Sequence, residues 1–319
     1  LNKETMDMLV RAFVLMGCVA SLAGWDESTA HAEESAMDLS PRVLHEVREK
    51  IVYHTVGGRE LLLDAYLPET PGVFPAVLVI HGGAWREGNR KQLRQYAAEL
   101  ASRGFCCFAV DYRLAPKHKF PAQIDDCRAA VKWIRENSDV FKVDPKRLGA
   151  IGYSAGGHLA TLLGTTGESA NDKNGNVDMR IQAIVAGGAP TDFRWFPDKG
   201  RWAEYWMGGN LDSVPEKFQA ASAAAFVDAK DPPTFFFNGT KDKIVPLIWT
   251  QACHLAMKDA GVKTELYVIE GAGHIQAASD KTALSKACDF LVGELQTIPP
   301  TEALPTVPRS TSAETATTD

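Results

Sequence analysis

Ser154 stands in Gly152-Tyr153-Ser154-Ala155-Gly156-Gly157, directly after the apolar run Leu148–Ile151 and at the head of a segment with helical period. A serine on so sharp a strand-to-helix turn exposes its hydroxyl, and its close neighbours must be small for strand and helix to approach each other. Serine at its own pKa is a poor nucleophile, so the chemistry requires a base and a group that orients the base. His274, in Glu270-Gly271-Ala272-Gly273-His274, follows the apolar run Leu266–Ile269. Asp242, in Gly239-Thr240-Lys241-Asp242, likewise follows Phe235–Phe237. Asp192, beyond the run Ile181–Ala186, competes for the role of the acid. Asp242 is preferred, because it follows the strand next before the histidine's.

Acyl transfer also needs donors for an oxyanion. His81-Gly82-Gly83-Ala84-Trp85 follows Val77–Ile80, and a glycine pair leaves backbone amides free to face a developing negative charge. Gly82 and Gly83, together with the amide of Ala155, are the expected oxyanion hole, with His81 as a scaffold residue. His158, one helical turn after Ser154, reads as a packed helix residue and not as the base. The cysteines beyond Cys18 are Cys106, Cys107, Cys127, Cys253 and Cys288; they form no C-x-x-C pair and no zinc-ligand spacing. They read as small hydrophobes, with any disulfide pairing left open. Neither a metal nor another cofactor is expected.

The elements that must position these residues follow from periodicity. Ile51–Val56 and Leu61–Leu67 flank Gly57-Gly58 as a hairpin. Apolar runs then alternate with helical segments: Ala76–Ile80 with Gln92–Ser102, Phe105–Val110 with Ala122–Glu136, and Leu148–Gly152 with Ala155–Leu163. Ile181–Ala186, Thr234–Phe237, a helix near Leu247–Ala260, Glu265–Ile269 and a helix over Ala283–Leu295 complete the series. Such alternation implies βαβ units and a parallel sheet, whose strands present their carboxyl ends along one edge, where ligands bind. Ser154, Asp242 and His274 all fall just beyond such ends.

Two stretches stand outside this pattern. Residues 190–233 mix aromatics, charges and glycines and read as a cap insertion. Residues 297–319, rich in Thr, Pro, Ser and Ala, read as a disordered tail. At the other end, Arg11, the apolar stretch Ala12–Gly24 and Ala30-His31-Ala32 have the outline of a secretory signal peptide cleaved after Ala32. Export to the periplasm or the medium follows from that reading, and the mature form has no membrane span. An uncleaved anchor and lipidation at Cys18 are the competing readings. Residues 33–46 are a linker and 47–296 one domain. Across 319 residues the composition is 45% hydrophobic and 23% charged, which describes a globular chain with a sizeable core. The formal charge is −6 and no Lys/Arg cluster stands out, so nucleic acid is not an expected partner.

The chain resembles the esterase/lipase group of α/β-hydrolases over roughly residues 50–295. Besides His81-Gly82-Gly83, the serine elbow, the Asp loop and Gly271-Ala272-Gly273-His274, the stretch Asp111-Tyr112-Arg113-Leu114-Ala115-Pro116 with Phe120-Pro121-Ala122 is similar to hormone-sensitive-lipase-like esterases. That group has a third glycine where this chain has Ala84, and an acidic residue where it has Tyr153. The motifs are closer to acetyl-xylan and feruloyl esterase-like carboxylesterases. The resemblance implies an α/β-hydrolase fold with a mostly parallel sheet, helices on both faces, an N-terminal antiparallel hairpin and a small cap. The nucleophile, acid and base then run in that family's order. It also implies a serine carboxylesterase acting on small acyl esters, such as acetyl or feruloyl esters of plant carbohydrate. An amide hydrolase with the same triad and an inactive binding protein are the alternatives. Trp85, Tyr153, Trp202 and Trp206 are candidate substrate-binding residues, since aromatic faces suit sugar rings and hydroxycinnamoyl groups; packing of the cap competes with that role.

Overall fold

The computed structural model describes residues 43–167, 178–194 and 201–296, with only the backbone described at 201–203. β1 (His45–Val56) and β2 (Arg59–Pro68) form the antiparallel hairpin. There follow β3 (Phe74–Ile80), α1 (Arg94–Ser102), β4 (Cys106–Val110), α2 (Ala122–Glu136), a single turn α3 (Ser138–Phe141), β5 (Val143–Tyr153) and α4 (Ala155–Thr165). After β6 (Ala183–Gly187) come α5 (Arg201–Met207), α6 (Pro215–Ala221) and a 3-10 turn at Ala223–Ala225. The described chain closes with β7 (Thr234–Gly239), α7 (Leu247–Asp259), β8 (Thr264–Ile269), α8 (His274–Ala278) and α9 (Lys281–Leu295).

The strands make one eight-stranded sheet in the order β1-β2-β4-β3-β5-β6-β7-β8. β2 runs antiparallel to both neighbours, and β4 to β8 across the rest of the sheet are parallel. Both faces are covered, so the central strands are continuously apolar. On β3, Leu78 and Ile80 face one layer with Ile124, Val131, Leu159 and Leu162. Val77 and Val79 face the other with Tyr96, Leu100, Cys288 and Leu291. This is the α/β-hydrolase architecture the motifs implied.

Two details differ from expectation. β1 starts at His45, six residues before the apolar pattern begins and inside the expected linker, because its first half is exposed and gives no alternation to read. His274 opens the short helix α8 instead of lying in a loop. Cys106, Cys107, Cys127, Cys253 and Cys288 are all buried, as small hydrophobes are, and no disulfide joins any two of them. The expected signal segment 1–32 and tail 297–319 lie outside the described residues. Among the described residues no helix is long and apolar enough to cross a membrane.

Candidate active site

Ser154 joins β5 to α4 with φ +57° and ψ −122°, a strained conformation for a residue with a side chain. The turn is pinned by its own backbone: the Ser154 amide donates to Gly187 O at 2.8 Å, and His158 N donates to Ser154 O at 2.9 Å. It also requires its glycines. A Cβ on Gly156 would stand 1.9 Å from Ile80 O, and one on Gly152 would stand 2.3 Å from the Gly156 carbonyl carbon. No side chain fits between strand and helix there.

The loop after β3 is held from behind. The His81 ring stacks on Tyr112 at 4.1 Å and donates from Nδ1 to Gly82 O at 2.7 Å. Tyr112 Oη donates to the carbonyls of His81 and Gly82. The carbonyls are thus engaged, while the amides of Gly82 and Gly83 have no partner among the described residues. Gly83, at φ +100°, turns the chain so that Arg86 N and Glu87 N close on its carbonyl. Together with Ala155 N at the start of α4, these donors suit an oxyanion.

Asp242 and His274 meet across the ends of β7 and β8. Asp242 Oδ2 lies 2.6 Å from His274 Nδ1, and Oδ1 accepts the amides of Ile244 at 2.9 Å and Val245 at 2.8 Å. The carboxylate side chain is fully buried and the imidazole nearly so. His274 Nε2 has no partner among the described residues, and His274 shares with Ser154, Gly82 and Gly83 the wall of one cavity of about 760 Å³. No hydrogen bond joins the Ser154 hydroxyl to His274; such contacts commonly tighten only when substrate binds. Asp192, the competing acid, has both of its oxygens engaged by Arg194 and makes no hydrogen bond to His274. Tyr153 lines the same cavity and donates from Oη to the His274 carbonyl, tying the start of α8 to the strand that leads into the serine. Burial pushes its phenol well up, which keeps that donor protonated.

A family model, BD-FAE, matches residues 63–257, a segment that holds Gly82, Gly83, Ser154 and Asp242 and ends before His274. The chain belongs to the BD-FAE family. Esterase LipC of Mycobacterium tuberculosis is 32% identical to this BD-FAE chain over 204 residues, which is 58% of the chain and 49% of that protein. Esterase LipQ of the same organism is 31% identical over 222 residues, 66% of the chain and 53% of that protein. The chain spans about half the length of these curated relatives. Among solved structures, a Thermogutta terrifontis esterase with butyrate bound is 27% identical, with a TM-score of 0.66, covering 80% of this chain and 95% of that one. A truncated carbohydrate esterase from gut microbiota shares the fold at a TM-score of 0.71 and 23% identity, covering 81% of this chain and 98% of that one.

The aromatic candidates of this BD-FAE member divide between core and cavity wall. Trp206 is on neither of the two cavity walls that Ser154 shares: it is fully buried, stacks on Trp85 at 3.5 Å and 3°, and donates from Nε1 to Gln123. Its place is behind the site, because a tryptophan on α5 finds a closed aromatic nest of Trp85, Phe193, Phe120 and His158 to fill. Replacing Trp206 with Ala is therefore expected to cost roughly 3–5 kcal/mol, read as a lower urea midpoint; an unchanged midpoint contradicts the packing role. Trp195 and the side chain of Trp202 lie outside the described residues. Trp85 does face a cavity, a smaller apolar one of about 200 Å³ that also touches Ser154 and Ala155. Trp249, Val245 and Pro190 complete its wall and were not singled out from sequence, since they are scattered along the chain and share no motif.

His158 is the packed residue expected. It accepts from Trp85 Nε1 at 3.1 Å on Nδ1, which leaves Nε2 to donate to Ala221 O at 2.7 Å. Burial pushes His81 and His158 both down to about 4. An unfolded histidine titrates near about 6.5, so between the two values the unfolded chain binds more protons than the folded one. The stability these two rings contribute is full above about pH 6.5 and is lost as pH falls through about 4. Urea midpoints are expected to decline from pH 7 to pH 4.5, with a shallower slope in His158→Gln. Equal slopes in the two proteins contradict the assignment.

Proposed function

We propose that this protein is a serine esterase that hydrolyses small acyl esters through an acyl-enzyme on Ser154. The observation that carries the reading is the buried 2.6 Å Asp242–His274 pair at the wall of the cavity that Ser154, Gly82 and Gly83 also line. His274 Nε2 takes the Ser154 hydroxyl proton as Oγ bonds to the ester carbonyl carbon. The carbonyl oxygen becomes an oxyanion that the amides of Gly82, Gly83 and Ala155 receive. When the carbon–oxygen bond to the alcohol breaks, the leaving oxygen takes the proton back from Nε2. Water, deprotonated by the same nitrogen, then attacks the acyl carbon and releases the acid and the free serine. Asp242 keeps the proton of the resting imidazole on Nδ1 and stabilises the imidazolium.

Small acyl groups fit the relatives as well: the Thermogutta terrifontis esterase binds butyrate, and LipC and LipQ are esterases. Export of the chain, with cleavage after Ala32, belongs to the same proposal and gives a mature protein starting at Glu33. The test compares 4-nitrophenyl acetate and butyrate with a formamide and a dipeptide anilide. Ester turnover well above amide turnover is expected; amide turnover equal to or above it overturns the reading.

A further inference from the structure

The turn that follows Gly82 and Gly83 is made of residues that resist it. Arg86 N closes on Gly83 O at 3.0 Å, and the two residues between them, Ala84 at φ +50° and Trp85 at φ +59°, both stand in the left-handed region. Successive positive φ values are those of a type I′ turn, which glycine, asparagine and aspartate ordinarily fill. For alanine or tryptophan the left-handed conformation is disfavoured by roughly tenfold, because Cβ crowds the following carbonyl oxygen. Nor has the turn slack of its own: a Cβ on Gly83 would stand 2.2 Å from Glu87 O. Groups outside it must therefore hold it.

Some of these come from the body of the domain. Ala115 N donates to Trp85 O at 2.9 Å, and Trp85 Nε1 donates to His158. The others come from consecutive residues of α5, one for each strained position. Tyr205 Oη donates to Ala84 O at 3.0 Å, and Trp206 stacks on the Trp85 ring. The helix is tied down in turn, since Phe120 N donates to Trp206 O at 2.9 Å.

We propose that α5 is the latch of the oxyanion loop, and that Tyr205, through Ala84 O, is a positioning residue for the amides of Gly82 and Gly83; the proposal rests on the serine-esterase reading. Without the hydroxyl, Ala84 is free to return to negative φ. Gly83 O then loses the amides of Arg86 and Glu87 that close on it, and the donors beside it lose their fixed direction. The oxyanion forms only as the ester reacts, so donors out of place lower kcat and leave ester binding unaffected. Burial raises the Tyr205 phenol above its ordinary value, and the hydroxyl stays a donor at neutral pH. Tyr205 also lines both cavities that Ser154 shares, and a direct contact with bound ester would show in KM instead. Trp206 is the poorer probe of the latch, because its truncation empties the aromatic nest.

The test is a double-mutant cycle on the full chain with Tyr205→Phe and Ala84→Gly, assayed with 4-nitrophenyl acetate. Glycine takes positive φ about as readily as negative, so Ala84→Gly removes the need for the latch at that position. Tyr205→Phe alone is expected to lower kcat by about fivefold, the size of one hydrogen bond, with KM within about twofold. In the Ala84→Gly background the same replacement should lower kcat by less than about twofold. Amide hydrogen exchange reads the turn without turnover. The amides of Arg86 and Glu87 should exchange about fivefold faster in Tyr205→Phe, and less than about twofold faster when Ala84→Gly is present in both proteins compared. A loss carried by KM, equal kcat losses in the two backgrounds, or unchanged exchange at Arg86 and Glu87 overturns the latch. A wild type with no ester turnover strikes the esterase reading, and the exchange rates still decide whether Tyr205 holds the turn.

Discussion

Asp242→Asn is expected to lower kcat by about 10⁴-fold while KM changes little. The reason lies in what the carboxylate's two oxygens do. Oδ1 accepts two backbone amides, from Ile244 and Val245, and Oδ2 faces His274 Nδ1. An asparagine has one oxygen to meet three donors. If its NH₂ group turned to the backbone, two N–H donors would oppose it, a buried clash that costs more than a lost hydrogen bond. The oxygen therefore stays on the amides and the NH₂ group faces Nδ1. Nδ1 must then become the acceptor, the ring proton moves to Nε2, and the nitrogen facing the serine can no longer take a proton. Asp192→Asn, which breaks only the pair with Arg194, is expected to leave kcat within about twofold. Steady-state kinetics on 4-nitrophenyl acetate check both; a crippled Asp192 variant beside a healthy Asp242 variant reverses the assignment.

Ser154→Ala is expected to cost more, about 10⁶-fold in kcat, with a residue of catalysis from the oxyanion donors and binding alone. It should not cost stability. The backbone at this position is strained at φ +57° with serine and remains so with alanine, whereas Ser154→Gly removes the strain and is expected to raise the unfolding midpoint while also losing activity. An inactive protein that is more stable than its parent is the signature of a residue held in a costly conformation for the sake of reaction. A Ser154→Gly midpoint below the wild type's contradicts it.

Much of this arrangement is legible in the sequence, for a physical reason. β3 to β8 are covered on both faces, so they read as apolar runs, and each chemical residue follows one of them closely in the chain. Ser154, Asp242 and His274 can thus be found from strand ends alone. The choice between Asp242 and Asp192 cannot be read with the same force, because both follow strands that end on the same edge; the distance across to His274 decides, and it is a tertiary quantity. The part of the wall made by Trp249, Val245 and Pro190 has no local pattern at all. Trp206 shows the opposite failure. An aromatic-rich stretch looks the same in sequence whether its rings fill a nest or face a ligand, and only the stack on Trp85 distinguishes the two. Tyr153 marks a difference from the acidic residue of related esterases, yet what its hydroxyl does, holding the His274 carbonyl, becomes visible only once β5 and α8 are brought together.

The most direct test of an acyl-enzyme on Ser154 is covalent trapping with diethyl 4-nitrophenyl phosphate. Serine Oγ attacks phosphorus, 4-nitrophenolate leaves, and a diethylphosphoryl group remains on the enzyme because no productive water attack follows. Peptide mass spectrometry of the inactivated protein is expected to show a single adduct on the peptide that contains Ser154, formed in step with loss of esterase activity and absent from Ser154→Ala. An adduct on another residue, or full inactivation with Ser154 unmodified, would contradict the nucleophile assigned here.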